Sequence, residues 1–106
     1  GRPSAEIIYR IFSDLNITKG SNCIKVDDTI PGLQEGLNAG MWVVGVIFSG
    51  NEFGKNEYEF NKLTYKEKLK FKKKISHKFN KIGAHYVIDT IKDLPKIIER
   101  VENKII

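Results

Sequence analysis

Of 106 residues, 41% are hydrophobic and 29% charged, with one cysteine, three prolines and nine glycines, which predicts one globular domain burying roughly two-thirds of its unfolded surface around a single core. Cys23 alone excludes a disulfide framework, and His77 and His85 stand too far from it for zinc spacing, so a reducing, cytoplasmic setting is expected. The longest apolar run, Met41 to Phe48, falls far short of the ~20 residues of a membrane span, and no basic-then-apolar signal opens the chain, so neither secretion nor a membrane partner is expected.

Pro3 suits the first turn of a helix, and Ile7, Ile8, Ile11, Phe12 and Leu15 follow at helical spacing, predicting a helix over 3–15 that stops at Asn16. A short β-branched run, Cys23 to Val26, reads as a strand and ends in Asp27-Asp28-Thr29. Pro31 opens a second helix that carries Leu33 and Leu37 and ends at Gly40. Trp42 to Phe48 is apolar throughout except at Gly45, the pattern of a strand covered by helices on both faces. A glycine-rich loop, 49–54, follows it. Phe71, Ile75, Phe79 and Ile82 then recur on one face of a lysine-rich helix, Gly83-Ala84 breaks it, and His85 to Ile88 gives a third strand. The last helix is expected over about 91–104, with its start obscured by Pro95. Strands alternating with helices predict an α/β fold built on three parallel strands with right-handed crossovers. Three strands are few for a buried parallel sheet, so an edge is expected to lack its neighbour.

The formal charge of +5 is unevenly spread. Between Lys62 and Lys81 nine lysines face one acid, Glu67, a surplus of +8, and the remainder carries −3. The bland account is a solvated helix face, since lysine favours helix and solubility; the sharper one is a contact surface for an anionic partner. Arginine is scarce there, no aromatic residues interleave the lysines as a stacking pattern, and specific nucleic-acid readout is not expected.

In open α/β sheets ligands bind outside the carboxyl ends of the strands, which draws attention to Asp27 and Asp28. Adjacent carboxylates beside a helix start offer hard oxygen ligands for Mg²⁺. They are equally ordinary turn and capping residues. Arg2 has a guanidinium able to hold a phosphate oxygen, although a lone terminal arginine is commonly just solvated. His85 opens a strand with no nucleophile at a recognisable spacing, Cys23 reads as a small apolar side chain, Trp42 as packing, and the 49–54 loop lacks the lysine and spacing of a phosphate-binding loop.

Five stretches give these residues more weight: Gly1-Arg2-Pro3; Lys25 to Gly32; Glu35 to Val46; Ser49 to Glu52; and Gly83 to Asp89. Together, in order and across essentially all 106 residues, they resemble the C-terminal part of the phosphonoacetaldehyde hydrolases, a family of the haloacid dehalogenase superfamily. The resemblance implies the C-terminal half of a Rossmann-like core and, for the whole enzyme, hydrolysis of phosphonoacetaldehyde to acetaldehyde and phosphate with Mg²⁺. In that chemistry a cap-domain lysine forms a Schiff base with the aldehyde and makes the carbon side a better leaving group, while an aspartate on the first core strand attacks phosphorus. Carried over, Arg2 matches the basic residue that pairs with phosphate, and Asp28 matches the metal-binding carboxylate of the fourth motif. Asp27 stands where many relatives have glycine and Gly32 where some have a second acid, so Asp27 is the candidate to supply or tune a second carboxylate.

The nucleophile motif Asp-x-Ala-Gly-Thr does not occur in these residues, and none of the clustered lysines matches the Schiff-base lysine. The first residue is Gly1 at the head of a motif, so the expectation is about the last two-fifths of a longer enzyme, inactive alone and handling its phosphonate substrate only with an N-terminal half. An unpaired edge at Cys23 to Val26 is expected, with homodimerisation through it as one outcome. Two other readings stand beside this one: part of another phosphatase of the superfamily, or a non-catalytic binding module using the lysine-rich helix.

Overall fold

The computed structural model describes residues 5–48 and 57–105, apart from the side chains of Ile7 and Glu57. Helix α1 (Glu6–Asp14) leads through a 3-10 turn to β1 (Ile24–Asp27), then α2 (Ile30–Asn38), β2 (Trp42–Val46), α3 (Glu57–Lys62), α4 (Tyr65–Lys81), β3 (Tyr86–Ile88), a second 3-10 turn and α5 (Leu94–Ile105). All pairing is parallel in the order β1-β2-β3, with Lys25 opposite Val43 and Gly45 opposite Val87. The expected α/β alternation is therefore present.

The centre is β2, whose residues after Trp42 are all buried. Its side chains alternate between two apolar clusters, as the period of two in a strand requires. On one face Val43 and, just beyond the strand, Ile47 pack with Leu33 of α2 and with Ile75 and Phe79 of α4. On the other, Val44 and Val46 pack with Ile88 and with Ile97 and Val101 of α5. Gly45 is glycine because Phe79 needs the space: a Cβ there would lie 2.4 Å from the ring. A third cluster seats Ala5, Ile8 and Phe12 of α1 against Ala39, with Cys23 packed beside them as a small apolar group.

Several boundaries differ from expectation, each for a local reason. Within the described residues α1 starts at Glu6, and the Pro3 expected to open it lies outside them. The first strand is shifted by one residue and takes in Asp27. The second stops at Val46, although Ile47 and Phe48 still donate to the carbonyls of Ile88 and Asp89. The lysine-rich segment divides into two helices, because the Thr64 hydroxyl accepts from the Glu67 amide while the Glu67 carboxylate accepts from the Thr64 amide, a reciprocal cap that starts α4 afresh. Pro95 sits in the first turn of α5, where its missing N–H costs nothing, so the 3-10 turn Ile91–Asp93 precedes the helix proper.

At the amino end of the sheet, Val43 donates its amide to Nδ1 of His85 at 3.0 Å while the His85 amide donates to the Val43 carbonyl. His85 thus continues the β2–β3 ladder with its side chain. The Trp42 indole donates to the Ser21 carbonyl at 2.9 Å and lies 5.1 Å from the His85 ring. Among the described residues no helix is long and apolar enough to cross a membrane.

Replacing Gly45 by alanine is expected to lower stability through its clash with Phe79, and Phe79→Ala to cost about 3–5 kcal/mol through the cavity it leaves. In denaturant titrations the double variant should cost clearly less than the two single losses together, since removing the ring frees the space the new methyl needs.

Candidate active site

Because β1, β2 and β3 run parallel, their carboxyl ends lie on one side of the sheet, and Asp27, Asp28 and Thr29 emerge there from β1. An open depression at this end is lined by Val26, Asp27, Asp28, Val46 and Ile91. Ile91 comes from the turn before α5, so the site joins segments more than sixty positions apart.

Asp27 is held from several directions. Its Oδ1 accepts from the amides of Asp28 and Thr29 at 2.8 and 2.9 Å and from the Thr29 hydroxyl at 2.9 Å, while Oδ2 lies 3.3 Å from the Lys25 ammonium. The same Thr29 hydroxyl accepts from the Gly32 amide and caps α2. One threonine oxygen therefore links the strand-end carboxylate to the helix start. Burial pushes the Asp27 carboxyl up, but the Thr29 hydroxyl and amide and the Lys25 ammonium outweigh it and leave it below the usual carboxylate value. The side chain is 14% exposed.

Gly32 completes this arrangement. A Cβ on it would stand 2.0 Å from Asp27 Oδ2 and 2.2 Å from its Cγ, so the space that a side chain at position 32 would occupy is filled by the Asp27 carboxylate. The two positions share room for one acid. Asp27 thereby acts on the loop that carries Asp28, which lines the depression. Among the described residues no group of three or more His, Cys, Asp and Glu side chains is placed to hold a metal ion. Arg2 and the 49–54 loop lie outside the described residues.

At the carboxyl end of β3, Asp89 forms a two-pronged ion pair with Lys72 of α4, at 3.1 and 3.2 Å. Sequence reasoning missed this pair, as it missed the parts of Lys25, Thr29 and Ile91. Thr29 carried a signal in its capping chemistry, and Gly32 in its motif; Lys72 is indistinguishable in sequence from its eight neighbours in the lysine cluster.

Comparison with known proteins bears on the fold that carries this turn. No protein-family model matches the chain. It is 40% identical over 106 residues to a phosphonoacetaldehyde hydrolase from Psychromonas ingrahamii and 42% identical over 106 residues to one from Aliivibrio salmonicida, in each case over 100% of this chain. A solved structure of a phosphonoacetaldehyde hydrolase-like protein from Oleispira antarctica superposes with a TM-score of 0.93 at 39% identity over 98% of the chain. Over its whole length the chain is therefore similar to one part of the phosphonoacetaldehyde hydrolases, and it shares the α/β fold of the Oleispira antarctica protein. It spans 36% and 39% of the length of the two relatives and 38% of the solved chain. The resemblance seen in the motifs thus extends to the fold of the described residues.

Since the Asp27 carboxyl is lowered on folding, its contribution to stability is present above the ordinary carboxylate value and is lost as pH falls through the folded one. Asp27→Asn should therefore flatten the acid limb of a stability-against-pH curve, measured by denaturant midpoint. Gly32→Ala should destabilise the chain by about 1–3 kcal/mol through overpacking, whereas Gly32→Ala in an Asp27→Gly background should add little further loss.

Proposed function

We propose that this chain is the carboxylate-bearing part of the core of a phosphonoacetaldehyde hydrolase-like enzyme. Acting with segments that supply the nucleophilic aspartate and the Schiff-base lysine, it would contribute to cleavage of the carbon–phosphorus bond, water adding so that acetaldehyde and phosphate leave. The observation that carries this reading is the Asp27–Asp28 turn at the carboxyl end of β1, opening on a depression, in a chain about 40% identical to such hydrolases.

Mg²⁺ suits hard oxygen donors and is usually held by one or two protein carboxylates, its other positions filled by water and phosphate. The donor chemistry of the turn fits on those terms with an uneven division of labour. Asp28 is the residue that would hold the ion. Asp27 has one oxygen taken by three donors and the other beside Lys25, so it positions and electrostatically tunes the turn. When bound there, the ion supplies positive charge to a transferring phosphoryl group. Arg2 would pair with the phosphate, a role that rests on the motif it shares with the family.

The state of β1 supports participation in a larger sheet. It is hydrogen-bonded to β2 on one side, has no strand on the other among the described residues, and all four of its residues are only half-buried while those of β2 after Trp42 are buried. A strand supplied by the rest of an enzyme would pair there and bring its own end next to Asp28.

The test is complementation. Co-expressed with the remaining portion of the Psychromonas ingrahamii enzyme, the chain should release phosphate and acetaldehyde from phosphonoacetaldehyde in the presence of Mg²⁺. Asp28→Asn should cut that rate by roughly 100-fold or more, and the chain alone should show no activity. Mg²⁺-dependent phosphate release by the chain alone that disappears on Asp28→Asn would overturn the requirement for other segments, and full activity of the complemented Asp28→Asn variant would overturn the role of Asp28.

A further inference from the structure

The lysine-rich segment does not act as one uniform face. Lys72 is committed to Asp89, Lys68 stands over the Phe60 ring at 4.3 Å and Lys62 over the Tyr58 ring at 4.4 Å. Lys68 thereby joins α4 to α3 and Lys72 joins α4 to the end of β3, while the Lys62 contact lies within α3. Ile75 and Phe79 turn the inner side of α4 into the core. At 100° per residue, Lys66, Lys70, Lys73, His77 and Lys81 fall within an arc of roughly 80° on the opposite side. All five are exposed. None of them makes a hydrogen bond, ion pair or ring contact with the described residues.

From this arrangement we propose that the outer face of α4 is a docking surface for the phosphodiester backbone of duplex nucleic acid, bound without regard to base sequence. The stripe is a straight row of four lysines and His77 with steps of four, three, four and four residues, spanning roughly 22 Å at 1.5 Å per residue. Against a duplex with one phosphate every ~3.4 Å along each strand, that length faces about six phosphates of one strand. The helix holds the row in place: its start is fixed by the Thr64–Glu67 cap and its inner side by Ile75 and Phe79, so little ordering is needed on binding.

The side-chain chemistry selects this partner. Lysine ammoniums attract phosphate as point charges but lack the planar fork with which arginine reads guanine, and the stripe has no arginine. It has no aromatic residue on which an unpaired base would stack, which weighs against single strands. A helix that enters a bilayer interface does so with a continuous apolar face, and α4 turns Phe71, Ile75 and Phe79 into the core, leaving Tyr65 and Leu69 exposed beside the stripe rather than on it. Glu67, the acid of this helix, lies off the stripe and its carboxylate is occupied by the Thr64 amide.

The experiment is titration of the purified 106-residue chain with a fluorescently labelled 20-base-pair DNA of arbitrary sequence, read by anisotropy at several salt concentrations. With four lysines engaged, the logarithm of the binding constant should fall with the logarithm of salt at a slope of about −3.6, or about 150-fold between 50 and 200 mM. Two unrelated sequences should bind alike. Lys70→Gln/Lys73→Gln, at exposed positions that leave the core untouched, should halve the slope and keep the circular dichroism spectrum unchanged, while Lys104→Gln on α5 should alter neither. Absence of binding at 50 mM salt, an unchanged slope in the double variant, strong preference for one sequence, or tighter binding to phosphatidylserine vesicles than to DNA would each overturn the proposal.

Discussion

Everything in this fold hangs on β2 being covered on both faces. A parallel strand buried in this way has no solvent-facing side, so α2 and α4 must close one face and α5 the other. The fit is close enough that one strand position carries no side chain, because the Phe79 ring fills the space at Gly45. Once those helices are fixed, the parallel connections bring the ends of all three strands to one rim. Asp27, Phe48 and Asp89 lie along it as a consequence of packing elsewhere.

At that rim two neighbouring acids have different fates. Asp27 is drawn into donors from its own turn and pressed against a bare position of α2, which keeps it ionised and fixed. Asp28, one residue on, lines the depression. Placing a second carboxylate beside an already ionised one is unfavourable unless the first is compensated, and the two backbone amides, the Thr29 hydroxyl and Lys25 supply that compensation. At the far end of the rim Asp89 is neutralised by Lys72, so the acids there have different surroundings although they resemble one another in sequence.

Much of the fold was legible in the residues. The helical spacing of Phe71, Ile75, Phe79 and Ile82 and the continuous apolar run of β2 identified the two sides that meet in the core, because periodicity reports directly which face is buried. Boundaries were less legible, since a cap such as Thr64 with Glu67 is a local hydrogen-bond pattern that a lysine-rich periodicity hides. The acidic turn was visible as a candidate from its position after a strand. What it could not disclose was that Gly32 and Asp27 compete for one volume, a relation between a helix and a strand end that exists only when they pack.

By itself, the sequence determined the class of fold, the order of its strands and of its helices other than α3, the family resemblance and the position of the carboxylate turn, because these follow from periodicity, turn chemistry and motif spacing along the chain. Only the tertiary structure decided how individual charges are used. It paired Lys72 with Asp89, set Lys68 and Lys62 on aromatic rings, locked Asp27 beside Gly32 and left Lys66, Lys70, Lys73 and Lys81 facing outward. The physical reason is that a charge interacts with whatever lies within a few ångströms of it, and those neighbours come from distant parts of the chain.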